Sequence, residues 1–435
     1  MLPTLNFIDL FAGAGGLSEG FIRANYKSLA HIEMDKYACD TLKTRAAFHW
    51  LKANHKLYKY KEYLYNKKEK TDGSELWAQV PQEIINSVIY ETIDEDSIED
   101  IFAKVDKLKG DKEVDIIIGG PPCQAYSVVG RARMGKVVEE DPRNELYKFY
   151  VKFLNHYQPK MFVFENVLGI LTAKKGEPLK DLTRLVEQEG YKMELKIQTA
   201  SEHGVLQHRQ RVIIVGWKSE DENGNPTDYH YPELKPEKNK YEVLKDLFSD
   251  LPERKSNEGH LCKPIQYTKP LSKMKYLKRS DIRNSVFDFT TQHIARFNNT
   301  NDREIYKMAV DMWLNEKKRI DYSKIPLHLQ QHKNINSFRN RFQVVDPYGC
   351  SHTVVAHIAM DGHYYIYPTL YPTIENVRSI TIREAARLQS FPDDYYFEGS
   401  RSAAFKQIGN AVPVVLAHKI AEELKEQLAY ELQKY

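Results

Sequence analysis

Residues 7–20 read Phe7-Ile-Asp-Leu-Phe-Ala-Gly-Ala-Gly-Gly-Leu-Ser-Glu-Gly, an apolar strand followed by a glycine turn and the start of a helix. Gly13, Gly15 and Gly16 let the backbone approach a ligand closely at the helix N-terminus. A dinucleotide-binding fold would show GxGxxG here, and a P-loop would show Lys-Ser/Thr after the glycines. The turn therefore suits a nucleoside ligand without phosphates, such as S-adenosylmethionine, although a tight strand-to-helix turn alone also explains the glycines.

Apolar strands recur along the first half of the chain. The candidates are Asn6–Phe11, Val114–Ile118, Met161–Phe164 and Arg211–Trp217, and helical stretches such as Glu145–Tyr157 lie between them. Strands that alternate with helices predict an α/β fold with a parallel sheet.

A change in composition after Trp217 indicates a second domain. Asp221–Pro236 is a polar linker with Gly and Pro, and weakly periodic sequence rich in basic and aromatic residues follows it. Helical periodicity returns at Thr381–Gln389. We therefore predict one domain from residues 1–217 and 376–435, interrupted by a smaller inserted domain, residues 218–375.

The composition is that of a soluble protein: 42% of the 435 residues are hydrophobic and 28% are charged. The sequence contains no apolar run of the roughly 20 residues that a membrane span needs. Its four cysteines are far apart in sequence, which argues against a disulfide framework or a bound metal and favours the cytoplasm.

Charge is unevenly distributed around a net value of +3. Leu261–Val345 holds 17 Lys and Arg against 7 Asp and Glu, which is equally consistent with a phosphate-binding surface and with a solvated lysine-rich one. Lys52–Lys70 holds seven lysines and four tyrosines. We interpret it as a helical surface segment, for which solvation is a better explanation than nucleic-acid contact.

Two strand ends carry side chains suited to binding and to nucleophilic attack. Glu33 ends the second strand candidate, where a carboxylate can accept hydrogen bonds from ribose hydroxyls, and Met34 can lie against adenine. Cys123 follows Pro-Pro on a stiff turn at the carboxyl edge of the sheet, where α/β proteins bind ligands. That position favours a reactive thiol over an inert core cysteine.

Two later segments add an acid and a pair of cations. Glu165 follows four apolar residues at the same edge, which suits a proton donor, although capping of the next turn is an alternative. Arg209 and Arg211 are two residues apart in Gln207-His-Arg-Gln-Arg and are expected to share a strand face. Such a pair can bind a phosphate or a carbonyl oxygen, unless it is an ordinary surface pair.

Six segments in this order resemble the motifs of the DNA (cytosine-5)-methyltransferase family. They are Asp9-Leu-Phe-Ala-Gly-Ala-Gly-Gly, Gly120-Pro-Pro-Cys-Gln, Glu165-Asn-Val, Gln207-His-Arg-Gln-Arg, Thr381-Ile-Arg-Glu-Ala-Ala-Arg-Leu-Gln-Ser-Phe-Pro and Gln407-Ile-Gly-Asn-Ala-Val-Pro. The resemblance implies a Rossmann-like class I methyltransferase sheet with S-adenosylmethionine as methyl donor. It also implies that residues 218–375 form a target-recognition domain.

The resemblance assigns roles to individual residues. Cys123 is the nucleophile, Glu165 acts at cytosine nitrogen 3, Arg211 at the base oxygen, and Arg209 towards phosphate. The cofactor positions are Phe11, Gly13, Gly15, Gly16, Glu33, Met34, Pro121, Leu146, Asn410 and Val412. A carboxylate that contacts adenine is also expected, and Asp94 and Asp96 are both candidates.

The resemblance also indicates residues that contact DNA. Ser127–Asn144 is similar to the family's catalytic loop, which closes over a cytosine flipped out of the duplex. Thr353, in Ser351-His-Thr-Val, matches the pair that positions the recognition domain. The expected DNA contacts are Gln124, Ser127, Arg131, Arg133, Gln207 and Thr353.

The expected partner is double-stranded DNA, bound by a monomer. A restriction setting implies a cognate endonuclease that acts on the same site, and a phage-encoded or orphan enzyme is the alternative. A tRNA methyltransferase of the same fold is an alternative, but that branch carries Pro-Cys-Phe-Thr where this chain has Gln124 after Cys123. A DNA-binding relative without catalysis is a second alternative, and the presence of Cys123 and Glu165 disfavours it.

Overall fold

The computed structural model describes residues 4–122, 145–221, 223–331 and 339–432. The strands are β1 Asn6–Leu10, β2 Lys27–Glu33, β3 Val88–Tyr90, β4 Ile116–Gly119, β5 Met161–Asn166, β6 Tyr191–Thr199, β7 Gln207–His208, β8 Gln210–Lys218, β9 Ile265–Gln266, β10 Phe289–Thr290 and β11 Ser351–His352. The α-helices are α1 Gly16–Arg23, α2 Lys36–Ala53, α3 Leu57–Asn66, α4 Ser74–Trp77, α5 Gln82–Asn86, α6 Ile98–Lys109, α7 Leu146–Tyr157, α8 Glu177–Gln188, α9 Lys275–Arg279, α10 Thr300–Glu316, α11 Ile382–Leu388, α12 Arg401–Asn410 and α13 Val414–Leu432.

Seven strands form one sheet in the order β3-β2-β1-β4-β5-β8-β6. The first five of these are parallel to one another, whereas β8 runs antiparallel to both β5 and β6. The α/β fold with a Rossmann-like sheet is confirmed. The expectation of a parallel sheet is wrong at β8, which runs opposite to the other six strands, because a buried strand has the same apolar composition in either direction.

Both faces of this sheet are covered by helices. Helices α6, α7 and α8 pack on one face around residues such as Phe102, Phe153 and Leu182. Helices α1 and α13 pack on the other face around residues such as Phe21 and Ile420. None of the helices in the described ranges is long and apolar enough to cross a membrane.

The first and last helices of the chain are in direct contact. A Cβ atom on Gly20 would lie 2.4 Å from the Cβ of Ala417, so the absence of a side chain lets α1 and α13 approach closely. The Tyr26 hydroxyl donates to the carbonyl oxygen of Ala421, 3.2 Å away. Residues 414–432 therefore complete the layer that α1 begins.

The chain between β8 and α11 contributes to four hydrophobic cores, and chiefly to two of them. Part of it, including Leu247 and Val354, shares a core with Ile382 and Ile408 of α11 and α12. A second core is formed within residues 305–377 themselves, around α10. The segment is thus anchored to the rest of the fold at one core and self-contained at the other.

The segment Lys52–Lys70 includes α3, as the predicted helix requires, but it is more than a surface appendage. Tyr60, Tyr63 and Leu64 are buried and pack in one cluster with Phe287 and Phe289. Helix α3 is therefore fixed in a core along one face, and Lys67, just after it, is buried in an ion pair with Glu398.

Candidate active site

The turn after β1 has an unusual backbone. Phe11, Gly13 and Gly15 have φ angles of 56°, 55° and 77°. This left-handed region is natural for glycine, but it strains a bulky residue such as phenylalanine. Such strain is concentrated at functional sites. The half-buried Phe11 lies at the carboxyl end of β1, where the sequence predicts cofactor binding.

Glu33 is tied to this turn by main-chain donors. Its Oε2 accepts from the Gly13 amide at 2.8 Å, and its Oε1 accepts from the amides of Met34 at 2.9 Å and Asp35 at 2.7 Å. Burial raises the pKa of the Glu33 carboxyl despite these three donors. The carboxyl is thus fixed beside the turn, with Met34 exposed next to it.

Asp9, which the sequence analysis gave no role, is completely buried on β1 below the same turn. It accepts a hydrogen bond from the Ser18 hydroxyl. Burial, followed by the charge of Glu33, raises its pKa to about 8. The signal in the sequence was a single aspartate within an apolar strand. Such an acid is expected to be buried and to need a hydrogen-bond partner.

The other proposed cofactor residues lie on several elements, and one of them, Val412, is shown to adjoin the turn. A Cβ on Gly16 would lie 2.4 Å from the Val412 carbonyl oxygen, so Val412 is adjacent to the start of α1. Asn410 is exposed at the end of α12, and Leu146 is half-buried at the start of α7. Asp94 accepts from the Asp96 and Ser97 amides, which makes it a cap of the turn before α6.

At the neighbouring strands, β5 and β8 bring an acid and a cation together. Glu165 Oε1 and Arg211 Nε are 2.6 Å apart, and both side chains are nearly buried. Neither atom has an aligned hydrogen-bond partner among the described residues, so the contact is an ion pair rather than a directed hydrogen bond. An ion pair with unused hydrogen-bonding capacity can engage a polar substrate.

Gly120 completes this edge and was missed as a site residue. A Cβ atom on Gly120 would lie 2.6 Å from Oε2 and 2.8 Å from the carbonyl oxygen of Glu165. Asn166 Nδ2 donates to the Pro121 carbonyl oxygen, 3.4 Å away. The chain therefore crosses directly over Glu165 and is held there just before Cys123. The Gly-Gly pair in the sequence was the signal.

Cys123, Gln124, Ser127, Arg131 and Arg133 lie outside the described residues. Within the described ranges, no group of three or more His, Cys, Asp or Glu side chains is arranged to hold a metal ion.

The structure contradicts the predicted phosphate role of Arg209. Its side chain is completely buried and donates to the carbonyl oxygens of Val354 at 2.6 Å and Gly409 at 3.1 Å. Arg209 lies between β7 and β8, and its charge interacts with those of Arg211 and Glu165. Burial and the charge of Arg211 lower its pKa.

Gln207 is likewise buried and cannot contact DNA as predicted. It donates to Leu388 O and Gln389 Oε1, both at 2.9 Å, and it accepts from the Val354 amide at 2.7 Å. Together, Gln207 and Arg209 form a buried polar hub that joins residue 354 to α11 and to the end of α12.

Thr353 lies beside this hub, where β11 pairs with β7. Its hydroxyl donates to the His208 carbonyl oxygen at 2.5 Å, and its own carbonyl oxygen accepts from the Tyr365 hydroxyl at 3.0 Å. The side chain is partly exposed. The Ser351-His-Thr-Val stretch is therefore attached directly to the arginine motif.

Comparison with known proteins bears on this arrangement. The family model described as C-5 cytosine-specific DNA methylase matches residues 5–72 and 76–426. The type II methyltransferase M.Bpa9945I of Bacillus paralicheniformis is 37% identical over 96% of this chain and 98% of its own length. The type II methyltransferase M.DdeI of Desulfomicrobium norvegicum is 30% identical over 97% of this chain and 88% of its own.

Solved structures share the fold. A putative DNA modification methyltransferase encoded within an Escherichia coli prophage superposes with a TM-score of 0.58 at 22% identity, covering 99% of this chain and 100% of its own. The Entamoeba histolytica methyltransferase EhMeth gives 0.52 at 16% identity, covering 99% of each chain. With the family match over nearly the whole length, the chain belongs to the C-5 cytosine-specific DNA methylases.

Proposed function

We propose that this DNA methyltransferase transfers a methyl group from S-adenosylmethionine to carbon 5 of a cytosine in double-stranded DNA, through a covalent bond to Cys123. The observation that carries the proposal is the Glu165–Arg211 pair, 2.6 Å apart at the sheet edge, with the chain leading to Cys123 directly above it. An acid and a cation thus adjoin the chain that leads to the proposed nucleophile, which supports the proposal.

The residues around the first turn fit S-adenosylmethionine. Glu33 keeps its carboxyl oxygens beside the turn, where they can accept from ribose hydroxyls, and Met34 is free to contact the base. A Cβ at Gly13 would meet no atom within 4 Å, which leaves room beside the backbone. When bound, the cofactor supplies an electrophilic methyl group on a sulfonium sulfur. Asp94 is the proposed adenine contact, and Asp96 is the alternative.

Glu165 and Arg211 would act on the cytosine ring. Glu165 delivers a proton to ring nitrogen 3, and Arg211 donates to the base oxygen while keeping the carboxyl group in place. Glu165 and Arg211 must both face the base to act on it. Their ion pair fixes the position of each side chain relative to the other.

Cys123 would supply the nucleophile. Its thiolate adds to ring carbon 6, forming a C–S bond, while nitrogen 3 takes the proton from Glu165. The electron pair moves to carbon 5, which becomes nucleophilic and gains the methyl group. Loss of the carbon 5 proton to a base then lets the C–S bond break, and nitrogen 3 returns its proton to the Glu165 carboxylate. These steps restore the neutral aromatic ring, the free thiolate and the acid.

Residues 218–375 would read the DNA sequence, and residues 127–144 would close over the flipped cytosine, since carbon 6 is out of reach within the stack. The names of the relatives favour the modification half of a restriction–modification system. We propose that the protein acts as a monomer in the cytoplasm, alongside an endonuclease with the same target.

A duplex with 5-fluorocytosine at the target base tests this mechanism. Fluorine cannot leave carbon 5 as a cation, so we expect a protein–DNA adduct that resists denaturation and maps to the Cys123 peptide. Cys123→Ser should give none, because its hydroxyl is a far poorer nucleophile near neutral pH. Glu165→Gln should form the adduct much more slowly, because an amide cannot deliver the proton.

Bisulfite sequencing of a plasmid from expressing cells identifies the target sequence for this experiment. An adduct that persists in Cys123→Ser overturns the assignment of the nucleophile. Wild-type enzyme that methylates ordinary cytosine but forms no adduct overturns the covalent route.

A further inference from the structure

Asp35 connects two parts of the proposed cofactor site that are far apart in sequence. Its main-chain amide donates to Glu33 Oε1 at 2.7 Å, and its Oδ1 caps helix α2 by accepting from the Tyr37 and Ala38 amides at 3.0 and 3.2 Å. Its other oxygen, Oδ2, accepts from Lys406 Nζ on α12 at 2.7 Å. The carboxyl group proposed to bind ribose, the start of α2 and helix α12 therefore meet at one residue.

Lys406 and Asn410 lie on one face of α12. They are four residues apart in a helix that spans Arg401–Asn410, and side chains with this spacing are neighbours on the helix surface. Since Lys406 reaches Asp35, the face that carries Asn410 is turned towards residues 33–35. The position of Asn410 relative to Glu33 therefore depends on how α12 is held against α2.

Further contacts attach these two helices to each other. The Thr41 hydroxyl donates to Gln407 Oε1 at 2.7 Å, and both residues are buried. A Cβ atom on Gly399, just before α12, would lie 2.5 Å from the ring of Tyr37, so the chain passes directly over the first turn of α2. Because these contacts remain when the ion pair is removed, its loss should shift α12 rather than release it.

The Asp35–Lys406 pair is charged and partly exposed. The Asp35 side chain is 29% exposed and that of Lys406 is 56% exposed. Burial opposes ionisation of Asp35, but the hydrogen bond from Lys406, its charge and the two cap donors together lower the pKa of the carboxyl. An exposed ion pair contributes little to folding stability. Its place beside Glu33 is therefore its main consequence.

We propose that Asp35 and Lys406 are positioning residues, whose ion pair holds α12 so that Asn410 and Glu33 are in place on both sides of the cofactor before it binds. The inference rests on the proposed function, since it assumes that S-adenosylmethionine binds between these two residues. Neither Asp35 nor Lys406 needs to touch the cofactor.

Two single variants remove the ion pair. Lys406→Met deletes the cation, and Asp35→Asn deletes the anion but still caps α2 and keeps the amide that donates to Glu33. Each should raise the Kd of S-adenosylmethionine about two- to fivefold, the range that an exposed ion pair supports. The demethylated product, whose sulfur is neutral, should lose as much affinity, because positioning acts on the parts that both ligands share. Calorimetry measures these constants.

The double variant and a conservative variant test whether the two residues act as a pair. Asp35→Asn/Lys406→Met should lose no more affinity than either single variant, because the shared interaction is already absent. Lys406→Arg, which keeps the charge, should bind both ligands as wild type does. Additive losses in the double variant overturn the inference.

Lys307→Met is the matched control, since Lys307 is also exposed and pairs with Asp311 at 2.7 Å. It should leave the Kd of both ligands unchanged, and its urea midpoint should equal that of Lys406→Met. Affinity that falls as much in Lys307→Met as in Lys406→Met overturns the inference.

A direct effect of charge on the cofactor would give another pattern. The cationic S-adenosylmethionine would bind more tightly to Lys406→Met and more weakly to Asp35→Asn, while the neutral product would respond less. That pattern overturns the positioning role, and so does unchanged affinity in both variants. A wild-type protein that binds neither ligand overturns the proposed function itself, and this inference with it.

Discussion

The position of Glu165 depends on a residue without a side chain. Gly120 leaves the space that Glu165 Oε2 occupies, and Arg211 pairs with the other carboxyl oxygen, Oε1. The acid is therefore confined on two sides, one steric and one electrostatic. Confinement of this kind is what a proton donor needs, since misplacement by about 1 Å can reduce a rate 10²-fold.

Gly120→Ala should lower kcat by about 10²-fold, because the new methyl group must displace Glu165. Binding of S-adenosylmethionine should change little, since Glu33 and the turn after β1 are on other strands. Single-turnover methylation measures the first effect, and calorimetry measures the second.

The double variant Gly120→Ala/Glu165→Gln is the control for this interpretation. If the glycine acts through Glu165, the double variant should be no slower than Glu165→Gln alone. Fully additive losses would contradict a shared mechanism.

Residue types at strand ends could be predicted from sequence, but their surroundings could not. Glu33 and Glu165 follow apolar runs, and such runs end at one edge of a parallel sheet. Arg209 and Gln207 belong to the same motif as Arg211, yet their burial depends on segments more than 140 residues away. Local spacing contains no information about such contacts.

At the scale of elements, the bounds that the sequence predicts for the strands lining the site agree with the observed bounds to within one or two residues. The predicted Met161–Phe164 is β5, Met161–Asn166, and the predicted Arg211–Trp217 is β8, Gln210–Lys218. The direction of β8 was not predictable, since an apolar run does not encode it. Strand β11 has two residues and no periodicity, so it was not predicted as a strand.

The burial of Arg209, between β7 and β8, leads to a prediction about stability. Arg209→Met should lower the free energy of unfolding by about 3 kcal/mol, because buried carbonyl oxygens lose charged donors. The slope of log Kd for DNA against log salt should stay unchanged, since Arg209 contacts no solvent. Urea unfolding and binding at several salt concentrations measure the two quantities.

Arg184→Met is the matched control, since Arg184 is exposed and pairs with Asp181 on α8. It should change the free energy of unfolding by less than about 1 kcal/mol. A slope smaller by about 1 in Arg209→Met would restore the phosphate role that the sequence suggested.

At the scale of the whole molecule, the two main cores between β8 and α11 predict where the chain can be exchanged. Replacing residues 299–344 by the equivalent part of a related enzyme changes mainly the core around α10. We expect a folded enzyme that methylates the donor's sequence, because base readout is separate from chemistry. Bisulfite sequencing identifies the methylated site.

Exchange of all of residues 218–375 is the comparison. It also replaces Leu247 and Val354, which share a core with α11 and α12, so this chimera should unfold at a lower urea concentration. Methylation that stays at the original site in a folded 299–344 chimera would place sequence readout elsewhere in the chain.

The contact between α1 and α13 has a consequence for synthesis on the ribosome. Helix α1 is made first, but its partner Ala417 is added nearly 400 residues later. At 5–20 residues per second, that interval lasts roughly 20 to 80 s. Until then the face of α1 that packs against α13 lacks this partner, although strands made earlier already adjoin α1. The cell thus holds no active enzyme before translation of the last helix.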